Sequence, residues 1–107
     1  MLENLNEIEN KVLDAIRAVV DPELFISVVD LGLIYEISVD EKGNAYIKMT
    51  YTSMACPAGP QMRTEIYESA LSVDGIKEAN VEVVWLPRWD PREMASEDAK
   101  MELGIYD

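Results

Sequence analysis

Histidine is absent from the 107 residues, so neither a Ser-His-Asp triad nor an imidazole-based zinc site can be assembled within one chain. Cysteine occurs once, at Cys56, which rules out an internal disulfide and points to a reducing, cytoplasmic compartment. Basic residues are scarce: 9 Lys and Arg stand against 21 Asp and Glu, a net charge of −12. Such a surface repels phosphate backbones and anionic headgroups, which counts against nucleic acid and membrane surfaces as partners. No apolar run nears the ~20 residues of a bilayer-spanning helix. The opening MLENLNEIEN is acidic and lacks the basic region and apolar stretch of a signal peptide. A cationic metal or a basic protein partner suits this field better.

What is present reads as one small folded unit. An apolar content of 49% is enough for one core, and the length suits a single domain over residues 1–107. Leu5, Ile8, Val12, Ile16 and Val19 recur at steps of three and four, predicting a helix from Asn4 to Val20 with an Asn4–Glu7 capping box. Pro22 should stop it near Asp21. Leu33, Tyr35, Ile37 and Val39 alternate with Ile34, Glu36 and Ser38, as in a strand. The turn DEKGN, with Gly43 free to take positive φ, should return an antiparallel strand carrying Ala45, Ile47, Met49 and Tyr51 on one face. A second helix is expected from Gly59 or Pro60 to Leu71 with Met62, Ile66 and Ala70 inward, then a third strand with Val81, Val83 and Trp85. Ser96 should begin a short last helix that ends at Gly104. The expected fold class is α+β, a two-layer arrangement with helices on one face of a small mixed three-stranded sheet, in the order α-β-β-α-β-α.

The stretch TYTSMACPAGPQM places Cys56 between a strand and a helix. The free N–H groups and dipole of a helix start favour a thiolate, the form that attacks electrophiles and binds soft metals. Thr50, Thr52 and Ser53 add hydroxyls, and Pro57 fixes the direction in which the chain leaves the thiol. The plainer alternative is a small buried apolar side chain, the commonest role of free cysteine. Asp21, before a proline, has the ordinary role of bonding nearby amides. Asp30 lies amid apolar residues and caps the loop before the first strand or serves the site. Trp85 is read as covering the core edge. Trp89 is left open between that role and a partner-docking rim with Arg88.

These residues also carry a family resemblance. Asp21-Pro22-Glu23, Asp30-Leu31-Gly32-Leu33, Thr52 four residues before Cys56-Pro57, and the run from Trp85 through Pro87 to Trp89 resemble the SufT/PaaD-like family of metal–sulfur cluster biosynthesis proteins. That family has relatives in eukaryotic cytosolic iron–sulfur assembly. The resemblance runs from about Val12 to Leu103. It implies a small α+β domain that helps mature iron–sulfur proteins as a carrier or adaptor, not an enzyme. Cys56 takes the place of the family's reactive cysteine, with Asp21, Asp30, Thr52 and Pro57 as supporting motif residues. PaaD-type members carry a further cysteine-rich segment that this sequence does not show before Asp107, so the resemblance implies the SufT-like branch.

Iron–sulfur clusters take about four protein ligands, mostly thiolates. One chain offers a single thiolate, so no cluster is expected to be held stably by a monomer. A labile cluster between two subunits of a homodimer, with Cys56 from each, is the arrangement the donor set allows. The expected partners are iron–sulfur assembly proteins and client apoproteins. Two other readings compete: a protein-interaction module with a structural cysteine and a Trp85/Trp89 docking edge, and a small thiol enzyme, which lacks a histidine base.

Overall fold

The computed structural model describes residues 5–22, 24–52 and 59–104. The first helix, α1, spans Glu7–Ile16. Its capping box is Asn6–Glu9, not Asn4–Glu7: Asn6 Oδ1 accepts from Glu9 N at 2.9 Å, and Glu9 Oε1 accepts from Asn6 N at 3.0 Å. Two overlapping Asn-x-x-Glu pairs compete for this role. Only Glu9 has a second oxygen bonded elsewhere in the fold, Oε2 accepting from Val39 N at 2.9 Å. Asn4 itself lies outside the described residues. The helix also ends earlier than the periodicity predicts, at Ile16 instead of Val20. Beyond it Val20 forms an antiparallel bridge with Ser27, and Val28 N donates to Val19 O at 3.0 Å.

A four-residue helix, α2 (Val28–Leu31), follows, too short to show a period in the sequence. Ser27 Oγ caps its start by accepting from Val29 N, and Gly32 at φ 80° ends it. Strands β1 (Ile34–Val39) and β2 (Asn44–Met49) form the expected antiparallel hairpin, with Gly43 at φ 88° in the turn. A register shift between Ile34 and Glu36 marks a bulge, so that Leu33, Ile34 and Tyr35 are all buried despite strand alternation. Helix α3 (Gly59–Leu71) then leads to β3 (Glu78–Val83), which pairs parallel to β2. The sheet order is β1-β2-β3, the mixed three-stranded sheet expected. Two short helices, α4 (Pro91–Met94) and α5 (Glu97–Leu103), complete the described chain. The Ser96 cap and Gly104 stop of α5 match the sequence reading, whereas α4 was not foreseen.

Helix α1 packs on α3 and β1, and α3 on β3, so these two helices cover the sheet. Met62, Ile66 and Ala70 face inward from α3 and are fully buried, against Ala45, Ile47, Met49, Ala79 and Val81 from the strands. Burying a side chain such as Met62 or Ile66 contributes about 1.5–3 kcal/mol each, which fixes α3 on the sheet. The alternate strand residues Glu36, Tyr46, Lys48, Asn80 and Glu82 are exposed. On that outer face Lys48 Nζ meets Glu36 Oε2 at 3.4 Å across a β1–β2 pair, an exposed contact of little energetic weight.

Candidate functional site

The strand register brings the sequence motifs to one end of the sheet. Ile34 pairs with Met49, and Met49 with Val83. The start of β1, the exit of β2 and the exit of β3 therefore lie side by side. Two further backbone bonds extend the ladders there: Thr50 N to Leu33 O at 2.9 Å and Val84 N to Met49 O at 2.8 Å. The Asp30–Leu33 motif leads into this end, and Thr50–Thr52 and Trp85–Trp89 lead out of it.

A cleft of about 530 Å³ opens there, lined by Thr50, Tyr51, Thr52, Trp85, Leu86, Arg88 and Trp89. Thr50 is buried at its floor, a consequence of continuing the ladder past the end of β2. The Tyr51 and Trp85 rings stand 5.8 Å apart at 59°, a tilted pairing of the kind aromatic quadrupoles favour. The Tyr51 hydroxyl donates to Gly59 O at 3.0 Å, tying the exit of β2 to the first residue of α3. Gly59 suits this contact because a Cβ on it would lie 3.0 Å from the Tyr51 ring.

Trp85, read from the sequence as covering the core edge in a third strand, stands outside that strand: β3 ends at Val83 and Trp85 is 42% exposed. Trp89 is the better buried of the two indoles and donates from Nε1 to Leu31 O at 2.8 Å, linking the cleft to α2. The Tyr35 hydroxyl donates to Pro87 O at 2.9 Å and contacts Met94 Sδ at 3.4 Å, and burial pushes its pKa above the ordinary value. These bonds hold the Trp85–Trp89 segment against α2 and β1. Trp, Tyr and Arg, which dominate the lining, are the residue types enriched where proteins anchor one another. Tyr51 and Arg88 join the site although the sequence reading gave Tyr51 only an inward strand position. The signal was present in its place two residues beyond the strand, between Thr50 and Thr52.

The supporting carboxylates separate in role. Asp21 is 1% exposed, and its Oδ1 accepts from Leu24 N at 3.1 Å, the amide-bonding role expected of Asp before Pro. Asp30 does not cap the approach to β1; Ser27 and Gly32 do that for α2. Its carboxylate instead meets Arg17 Nη1 at 3.4 Å on a partly exposed surface, while its backbone O accepts from Ser96 N at 2.7 Å. Thr52 lines the cleft. Cys56 and Pro57 lie outside the described residues. Among the described residues no group of three or more Cys, Asp and Glu side chains is placed to hold a metal ion. No described helix is long and apolar enough to cross a membrane.

Comparison with known proteins gives a consistent result. The family model described as iron-sulfur cluster assembly protein matches residues 9–83. The "Fe-S protein maturation auxiliary factor YitW" of Bacillus subtilis is 39% identical over 98 residues, covering 92% of this chain and 95% of the relative. The "Fe-S protein maturation auxiliary factor SufT" of Staphylococcus aureus is 41% identical over 87 residues, covering 81% and 98%. A crystal structure of a domain of unknown function from Bacillus anthracis superposes with a TM-score of 0.85 at 41% identity, over 92% of this chain and 93% of that one. A match that spans residues 9–83, with relatives aligned over nearly their full lengths, establishes that the chain belongs to the iron–sulfur cluster assembly protein family, as a SufT-like member.

Proposed function

We propose that residues 1–107 act as one domain that assists iron–sulfur protein maturation, serving as a carrier or adaptor through Cys56 and not as an enzyme with turnover. The observation that carries this reading is the convergence of three motif segments at one end of the sheet. Cys56 stands in the sequence four residues after Thr52 and three before Gly59, and the Tyr51–Gly59 bond joins the described residues on either side of it. The names of the relatives support the same role.

The cluster is cargo in this reading. A cluster takes about four ligands, and one chain supplies one thiolate and no imidazole. Two copies, each giving Cys56, with external thiols or carboxylates completing the set, would hold a cluster loosely enough to pass it on. The Tyr51, Trp85, Arg88 and Trp89 cleft is the docking place for an assembly protein or a client apoprotein. The scarcity of thiols fits work in a reducing cytoplasm.

The test is replacement of Cys56 by Ser, with client cluster content measured in cells and metal content measured after anaerobic purification. Client cluster content should fall sharply while the fold is retained. Unchanged client content rejects the role of the thiol. The exposure of Trp85 favours one second reading, an interaction module in which Cys56 is structural. Alkylation separates the two: a thiol reacting faster in the native protein than in a denatured peptide supports the carrier, and one protected until unfolding supports the module.

A further inference from the structure

Phe25 holds a backbone conformation that its side chain does not favour. Phe25 has φ 58° and is the one non-glycine residue in the left-handed region among the described residues. An L side chain crowds its own carbonyl there, and for a bulky ring the conformation is an outlier. Core burial does not compensate, since Phe25 is 81% exposed. The conformation is imposed by the loop's bonding. Asp21 N donates to Ile26 O at 2.9 Å, Phe25 N donates to Asp21 O at 2.7 Å, and Leu24 N donates to Asp21 Oδ1 at 3.1 Å. Glycine would make the same turn without strain. A strained residue that contributes nothing to the core is a reason to ask what its exposure does.

Val20 lies opposite Ser27 in the antiparallel bridge, two residues from Phe25, and is itself 42% exposed. It also borders a hollow of about 420 Å³ with Ala18, Val19, Glu65, Glu68 and Ser69. Val20 thus joins exposed apolar surface to a hollow that carries two exposed carboxylates from α3, and Phe25 stands two residues before the bridge partner of Val20. None of these residues lines the aromatic cleft.

We propose that Phe25 and Val20, with Glu65 and Glu68, form a second docking surface, one that takes a basic amphipathic segment of a partner protein. An apolar side chain of the partner packs on Phe25 and Val20, and its Lys or Arg side chains face Glu65 and Glu68. Charge complementarity selects this occupant: the chain carries a net −12, and the two carboxylates beside Val20 draw cationic segments to this surface and disfavour acidic ones there. The surface stands independently of the role of Cys56.

The experiment uses the full chain, isotope-labelled, with an 18-residue Leu/Lys amphipathic helical peptide and its Leu/Glu counterpart as probes. The Leu/Lys peptide is expected to shift the amides of Val20, Phe25, Glu65 and Glu68, with affinity falling as salt rises. Phe25→Gly should weaken binding at least tenfold while Tm stays level or rises. The pair Glu65→Gln and Glu68→Gln should weaken it several-fold. Equal affinity in Phe25→Gly, amide shifts confined to other surfaces, equal binding of the Leu/Glu peptide, or a Tm lowered by Phe25→Gly would each overturn the proposal. Concentration-dependent shifts at these amides without peptide would also overturn it, in favour of self-association.

Discussion

Gly32 offers a measurement of how tightly the motif Asp30-Leu31-Gly32-Leu33 is packed. Its φ is 80°, and a Cβ added to it would lie 2.3 Å from Met94 O, 2.7 Å from Met94 C and 2.8 Å from Met94 Cβ. Two of those three atoms are backbone, so no change of rotamer relieves the overlap. Met94 is also held from several sides: its N donates to Asp90 O at 2.9 Å, and its sulfur accepts from Asp90 N at 3.3 Å. Gly32→Ala therefore carries a left-handed cost of ~1–2 kcal/mol. It must also displace the 90–96 segment, straining the Trp89–Leu31 and Ser96–Asp30 bonds, each worth roughly 1 kcal/mol. The expected loss is about 3–4 kcal/mol, a large share of the ~5–15 kcal/mol typical of folded domains. Gly104→Ala is the control, because Gly104 has φ 81° and nothing within 4 Å of the added Cβ. It should lose only the conformational part, ~1–2 kcal/mol. Urea unfolding followed by tryptophan fluorescence, with equal m-values checked, gives both numbers. If Gly32→Ala falls within 1 kcal/mol of Gly104→Ala, the close approach of Met94 is not what the glycine serves.

Two further outcomes follow from the same bonds. Trp89→Phe removes the Nε1 donor to Leu31 O, 2.8 Å away; urea titration should show a loss of about 1 kcal/mol, and no loss would mean the bond contributes nothing net. The Asn44 side chain and N–H, with Lys42 N–H and Tyr46, hold the Asp40 pKa below its ordinary value, and Ala79 N–H with the Tyr67 hydroxyl does the same for Glu78. A depressed carboxylate pKa contributes stability that is complete above the ordinary carboxylate range and is lost as pH falls through the lowered value. Urea midpoints should therefore drop on acidification, less steeply in Asp40→Ala than in the parent, and equal slopes would contradict this.

The parts of the fold legible in the sequence are those long enough to show a period. Met62, Ile66 and Ala70 mark the inner stripe of α3, and the alternation around Gly43 marks the hairpin. Helices α2 and α4, of four residues each, are too short to show one. The end of α1 was misjudged because Val19 continues the helical stripe, yet it is buried from an extended segment that pairs with residues 27 and 28. Trp85 continued the strand alternation on paper, but β3 stops at Val83. The motif residues were legible as types. Their roles needed coordinates: Asp30 pairs with Arg17 at the C-terminal end of α1, and Tyr51 bonds Gly59, eight residues on in the sequence. The left-handed Phe25 left no mark in the sequence at all.

The hairpin turn has a practical use that follows from its place. Strand β2 separates Asn44 from Met49 by about 17 Å at the usual strand rise, so the turn sits at the pole opposite the aromatic cleft. Glu41 is solvent-facing there. A fluorophore or short affinity peptide grafted at that position would report tumbling or capture complexes without shadowing the cleft, leaving the lone thiol free for its own chemistry.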